Sequence, residues 1–171
     1  MLKEKVEKAL IKQIQIEEHS SRIYMAMASW CDFKGFSGAA KFLYQHSDEE
    51  RMHMTKLIKY VNDKGRHALL LELKSPEAKY ESLLDVFEKI LKHEEFVTES
   101  INELYEVAFN EKDFTTAQFL QWYIEEQIEE ESVFKGILDK FRLAGNERGG
   151  LFHLDKELGG MGSGAAATAA Q

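Results

Sequence analysis

The sequence predicts an all-α fold: a bundle of four long helices, with one long crossover between the second and third helices and a short fifth helix at the C-terminal end. Three observations predict it. The 171 residues contain one proline, Pro76, and it falls where no helical pattern is sustained. Turn-forming residues are scarce and fall together at Lys34-Gly35, Gly65, Asn110 to Lys112 and Ala144-Gly145-Asn146. Between these breaks, apolar residues recur at steps of three and four, the period of a helix with one buried face.

The breaks place helices at about residues 3–33, 36–64, 79–109, 113–143 and 147–158. The buried stripe of the first reads Val6, Leu10, Gln13, Glu17, Ser21, Tyr24, Ala28, Cys31. The second gives Ala39, Phe42, His46, Glu50, His53, Leu57, Tyr60. A tight turn joins these two, as another joins the third and fourth, so each pair forms an antiparallel hairpin. The segment from Gly65 to Ala78 is different. A 29-residue helix is about 43 Å long, and an extended 14-residue connection reaches about 46–50 Å. It can therefore cross the whole bundle, and its Leu69-Leu70-Leu71 run would be exposed on a lone subunit, which predicts a subunit contact. The third stripe is Leu83, Phe87, Ile90, Glu94, Val97, Ile101, Leu104, Ala108, and the fourth is Phe119, Tyr123, Glu126, Glu130, Phe134, Ile137, Phe141. Residues 159–171, beginning after the 1–158 helical domain, form a low-complexity tail expected to be disordered.

Every stripe is apolar at both ends and carries a carboxylate near its middle. The middles of neighbouring helices lie at one height whatever their direction, so Glu17, Glu50, Glu94 and Glu130 must converge. An unpaired buried carboxylate costs several kcal/mol, and four of them demand compensation. Two divalent cations would neutralise the sum. His53, three residues after Glu50, projects from the same helix face and can share one ion. Oxygen-rich ligation with one imidazole suits iron or manganese, with zinc as a competitor, and the single cysteine, Cys31, excludes a thiolate site.

Composition sets the surroundings. A formal charge of -8 repels nucleic acid and anionic lipid, so neither is an expected partner. One cysteine forms no internal disulfide, and the charged start MLKEKVEKAL lacks the apolar core of a signal peptide, which predicts a cytoplasmic protein. No apolar run reaches the ~20 residues that span a bilayer.

These residues together resemble the bacterial non-haem ferritins, over residues 1–158. The resemblance is carried by Glu17 with Tyr24, by EERMH from Glu49 to His53, by KHEEF around Glu94 and by FLQWYIEEQIEEE from Phe119 to Glu131. It implies a dinuclear ferroxidase centre of Glu17, Glu50, His53, Glu94 and Glu130 with Gln127 beside it, and a third iron site of Glu49, Glu126, Glu129 and Glu130. It further implies oxidation of Fe(II) by O2 or peroxide, storage as ferric oxyhydroxide, a hollow 24-subunit cage and no haem. The general template for di-iron bundles carries Glu-x-x-His on two helices. Here the fourth helix reads Gln127-Ile128-Glu129-Glu130, which departs from bacterioferritins, and the CxxC pairs of a rubrerythrin are absent.

The remaining polar and sulfur residues have quieter readings. Tyr24, seven residues after Glu17, serves as a hydrogen-bond donor to a ligand, an electron donor or plain core packing. His46 is read as a core histidine, His93 as a surface residue and Trp122 as packing. Met25, Met27, Met52 and Met54 are read as gap-fillers or interface residues, with a haem role for Met52 at a two-fold interface left open. The competing functional reading is a non-catalytic helical module that buffers metal or drives assembly.

Overall fold

A computed structural model of the chain describes residues 2–145 and 148–161, made of helices and the segments that connect them. The helices are α1 (Glu4–Phe33), α2 (Ser37–Asp63), α3 (Leu83–Asn110), α4 (Phe114–Ala144) and α5 (Arg148–Gly160). Glycines in the left-handed region close the first two: Gly35 at φ 88° and Gly65 at φ 78°. There the chain takes a left-handed φ that a residue with a Cβ adopts only with strain. The α3–α4 turn uses Lys112 at φ 58° instead, followed by Asp113, whose carboxylate accepts the Thr116 amide at 3.1 Å and caps α4.

Cross-helix bonds fix the directions. Tyr24 pairs with Glu94, and Gln13 with Ser100, so α1 and α3 run antiparallel. Tyr123 bonds the His53 carbonyl and Tyr60 bonds Thr116, so α2 and α4 are antiparallel as well. It follows that α2 and α3, the helices joined by the crossover, run parallel, as the length of that connection predicts.

Two expected boundaries shift. The third helix starts at Leu83 and not near 79, because the Ser82 hydroxyl accepts the Asp85 amide at 3.0 Å while Asp85 accepts the Glu81 amide at 3.0 Å. This reciprocal cap outweighs the helix-forming residues before it. The fifth helix extends through Gly159 and Gly160, two residues of the segment expected to be a disordered tail. A Cβ on Gly38 would lie 1.8 Å from the Asp155 carbonyl oxygen, and one on Gly159 would lie 3.0 Å from the Gly38 Cα. Two bare glycines therefore let α5 cross the start of α2 at backbone contact. Residues 162–171 of that segment lie outside the described residues.

The apolar core has two halves. One contains Phe42, Phe87, Ile90, Phe134, Ile137 and Phe141, with Leu154 and Leu158 of α5 closing its end. The other contains Leu10, Ile14, Leu57, Ile101, Leu104 and Leu120. Between them lies a belt of buried polar side chains: Gln13, Glu17, Glu50, His53, Glu94, Gln127 and Glu130. Among the described residues, no helix is long and apolar enough to cross a membrane.

Candidate metal centre

Each carboxylate of the belt comes from the middle of a different helix. Glu17, Glu50 and Glu94 are 1%, 2% and 0% exposed, and Glu130 is 7% exposed, values reserved for apolar side chains in an ordinary bundle. His53 Nδ1 stands 3.8 Å from a Glu17 oxygen and 3.6 Å from a Glu50 oxygen. These three residues offer ligand atoms within 4.8 Å of one another. Glu94 is held from two sides: the Tyr24 hydroxyl donates to one oxygen at 2.5 Å, and the Gln127 amide donates to the other at 3.1 Å. Gln13 donates to Glu17 at 2.8 Å and accepts from Ser100 at 2.9 Å, so Glu17 is oriented through α3.

The electrostatics are those of a crowded anionic site. Burial, with Glu94 and Glu17 acting against His53, drives the Glu50 carboxyl well above the ordinary carboxylate range. Burial and then the charges of Glu94 and Glu49 push Glu130 up to about 8. Burial also raises Glu94, against the bonds from Tyr24 and Gln127. Glu17 is the exception. Burial raises it, but the hydrogen bond and charge of His53 outweigh that and hold it below its usual value. His53 is driven well above the imidazole range, because Glu50 and Glu17 overcome the effect of burial.

Several buried atoms find no protein partner: one oxygen each of Glu50 and Glu130, and both oxygens of Glu49. Buried acceptors without donors are costly, and a cation among them removes the cost. The donor set of carboxylates with imidazole suits Fe(II), Mn(II) or Zn(II). The residues fit a metal ion on chemistry and on geometry.

Of the further residues implied in the third site, Glu49 and Glu126 are buried beside the belt and Glu129 is exposed. Burial raises the Glu126 carboxyl, and Glu129 and Glu49 are among its charged neighbours. Three polar residues depart from the sequence reading or extend it. His46 is a core histidine as expected, yet it also faces Glu49 and Glu130, forming a second group with ligand spacing. Its place three residues before Glu49 and four before Glu50 was the available signal. His93 is half-buried, not a surface residue, and its ring pairs with the Ser20 hydroxyl at 2.7 Å; burial pushes its imidazole down to about 4. Trp122 packs edge-on to His53, with ring centres 5.2 Å apart, and carries the Lys56 ammonium 3.1 Å over its face. The structure gives Gln13, already on the first stripe, a supporting role at the site, and brings to it Ser100, which sequence spacing did not single out.

Comparison with known proteins points the same way as the geometry. The profile of the ferritin-like domain matches residues 7–144. A probable bacterial non-heme ferritin-like protein of Haemophilus influenzae is 46% identical over 161 residues, covering 94% of this chain and 98% of its own. The bacterial non-heme ferritin of Campylobacter jejuni is 46% identical over 158 residues, covering 92% and 95%. Among solved structures, an open-pore ferritin of the archaeon Archaeoglobus fulgidus superposes with a TM-score of 0.92 at 39% identity, covering 95% of this chain and all of that one. With four carboxylates converging at mid-bundle, and relatives of this identity spanning nearly its whole length, the chain belongs to the ferritin family.

Proposed function

We propose that this chain stores iron and oxidises it on entry. The observation that carries the reading is the belt itself: Glu17, Glu50, Glu94, Glu130 and His53, all buried, with oxygens that have no protein donor. Fe(II) is the substrate. One ion sits at Glu17, Glu50 and His53 and the other at Glu50, Glu94 and Glu130, with Glu50 shared. Each Fe(II) gives up one electron, and the pair reduces O2 to H2O2 with two protons, or H2O2 to water. The protein's contribution is positioning and charge neutralisation. Tyr24 and Gln127 hold Glu94, and Gln13 holds Glu17, so neither ligand needs to be ordered when an ion arrives. Ferric product moves toward a third position at Glu49, Glu126, Glu129 and Glu130. From there it hydrolyses to an oxyhydroxide, each ion releasing three protons. The chain acts in the cytoplasm as a homo-oligomeric shell, in the manner of a 24-subunit cage, and requires no haem.

Stopped-flow absorbance after mixing Fe(II) with aerobic protein tests this. Glu50→Ala removes a ligand common to both ions and is expected to lose the rapid phase, at least tenfold in rate. Glu129→Ala, at an exposed position outside the dinuclear set, is expected to keep it. Equal rapid phases in wild type and Glu50→Ala overturn the assignment, and binding of Fe(II) with no acceleration over buffer favours the metal-buffering alternative.

A further inference from the structure

His46 lies beside the belt, 3% exposed, packed between the rings of Phe42 and Phe134 with centroids at 4.2 and 5.4 Å. Its Nδ1 stands 3.0 Å from the Phe42 carbonyl oxygen. A carbonyl only accepts, so Nδ1 carries the hydrogen and the ring tautomer is fixed. The other nitrogen, Nε2, points at a Glu49 oxygen 3.8 Å away and a Glu130 oxygen 3.6 Å away. Neither of these carboxylate oxygens has a hydrogen-bond partner. Three buried ligand atoms, one from each residue, therefore lie within 4.8 Å of one another.

The separations decide what belongs there. A direct N–H···O bond closes to about 2.7–3.2 Å, and both distances are too long for one. Two ligands at about 2.0–2.2 Å from a common ion, at a tetrahedral angle, stand about 3.4 Å apart, close to what is found. We propose that His46, Glu49 and Glu130 form a buried divalent-cation position with mixed nitrogen and oxygen ligation, set apart from the all-carboxylate third position by the His46 imidazole and by not using Glu126 or Glu129. The proposal rests on the reading above insofar as Glu130 is shared with the dinuclear centre and Glu49 and Glu130 with the third position.

The ligand type sets the preference. An imidazole lone pair favours Zn(II), Fe(II) or Co(II) over a hard ferric ion, which the all-carboxylate group of Glu49, Glu126, Glu129 and Glu130 suits better. Glu49 therefore has two choices along α2: toward His46 and Glu130 it completes a site for an ion awaiting oxidation, and toward Glu126 it completes one for the oxidised product. A ligating histidine needs an acceptor for its other ring N–H, and the Phe42 carbonyl already supplies it.

Zn(II) is the probe, since it does not change oxidation state. Metal-free, assembled full-length protein is titrated calorimetrically, and crystals soaked in Zn(II) are examined by anomalous scattering at the zinc edge. Wild type and Glu129→Ala are expected to show a peak within bonding distance of His46 Nε2. His46→Ala and His46→Gln are expected to lose that peak and to bind one ion per subunit fewer, or to bind it at least tenfold more weakly. His46→Gln guards against loss of packing among the aromatic rings. No zinc at His46 in wild type, or unchanged stoichiometry and affinity in both His46 variants, overturns the proposal. Glu17→Ala separates it from the dinuclear reading. Zinc absent between Glu17 and His53 in wild type but present at His46 sinks that reading and leaves this one standing, and the reverse pattern does the opposite.

Discussion

Glu130 shows how a single buried carboxyl links pH to stability. Its folded value of about 8 lies above the ordinary 4.5, so between those limits the folded chain holds a proton that the unfolded chain releases. Stability in the absence of metal is therefore fully present below about pH 4.5 and lost as pH rises toward 8. Glu50 and Glu94 are shifted the same way, and raised His53 loses its contribution in the same direction. Glu17, shifted down, acts with the opposite sign but only at acid pH. The melting temperature of metal-free protein should fall between pH 5 and 8, by an amount corresponding to a few kcal/mol. Glu130→Gln should flatten that slope; identical slopes in the two proteins would contradict the account. At this scale the stripe positions were legible, since period and charge alone converge four glutamates. The direction of the His46 ring was not. Periodicity reports which face a residue occupies, whereas its χ angles are set by Phe42, Phe134 and the Phe42 carbonyl around it.

At the scale of elements, α2 carries Glu49, Glu50 and His53 but has no capping side chain of its own; Phe36 stands at its N-cap position. The cap comes from α5. The Asp155 carboxylate accepts the Gly38 and Ala39 amides at 3.2 and 2.8 Å, placing a negative charge at the positive end of the helix. Asp155→Ala should cost about 1–2 kcal/mol, read from the shift in a urea unfolding midpoint at constant slope. A cost near zero would mean that solvent caps these amides equally well. Helix number and order could be read from the breaks, at Gly35, Gly65 and Gly145 and at Asn110 to Lys112. The start of α3 and the end of α5 could not: the first depended on a local serine cap, and the second on a close approach between Gly38 and Gly159, far apart in the chain.

At the scale of the whole molecule, the crossover is the most conspicuous surface feature. Ala68 is tucked in, its amide bonded to Asn62, whereas Leu69, Leu70 and Leu71 are 49%, 59% and 42% exposed. Adjacent leucines on one strand of chain are unfavourable to leave in water and well suited to an isologous contact with a second copy. Leu70→Glu should shift the protein from a large assembly to small species in light scattering at micromolar concentration, with helix content unchanged. An assembly of unaltered mass would place the essential contacts elsewhere. The crossover's reach was foreseeable from chain length alone. What covers its leucines was not, because they stay exposed on the single chain.

The division of the core by a charged belt has a consequence for motion. In most helical bundles the termini fray and the middle exchanges its amide hydrogens last. Here the two apolar halves anchor the ends, with α5 fastened over one of them, while the centre of each helix adjoins buried carboxyl groups, among them Glu50 and Glu130 oxygens with no protein donor. Without metal, the slowest-exchanging amides should form two separate blocks, near Leu57 to Val61 and near Phe134 to Phe141, with a faster gap around Glu50 and Glu94. Ion binding should close that gap and join the blocks into one cooperative unit, so that iron loading acts as a brace across the waist of the bundle.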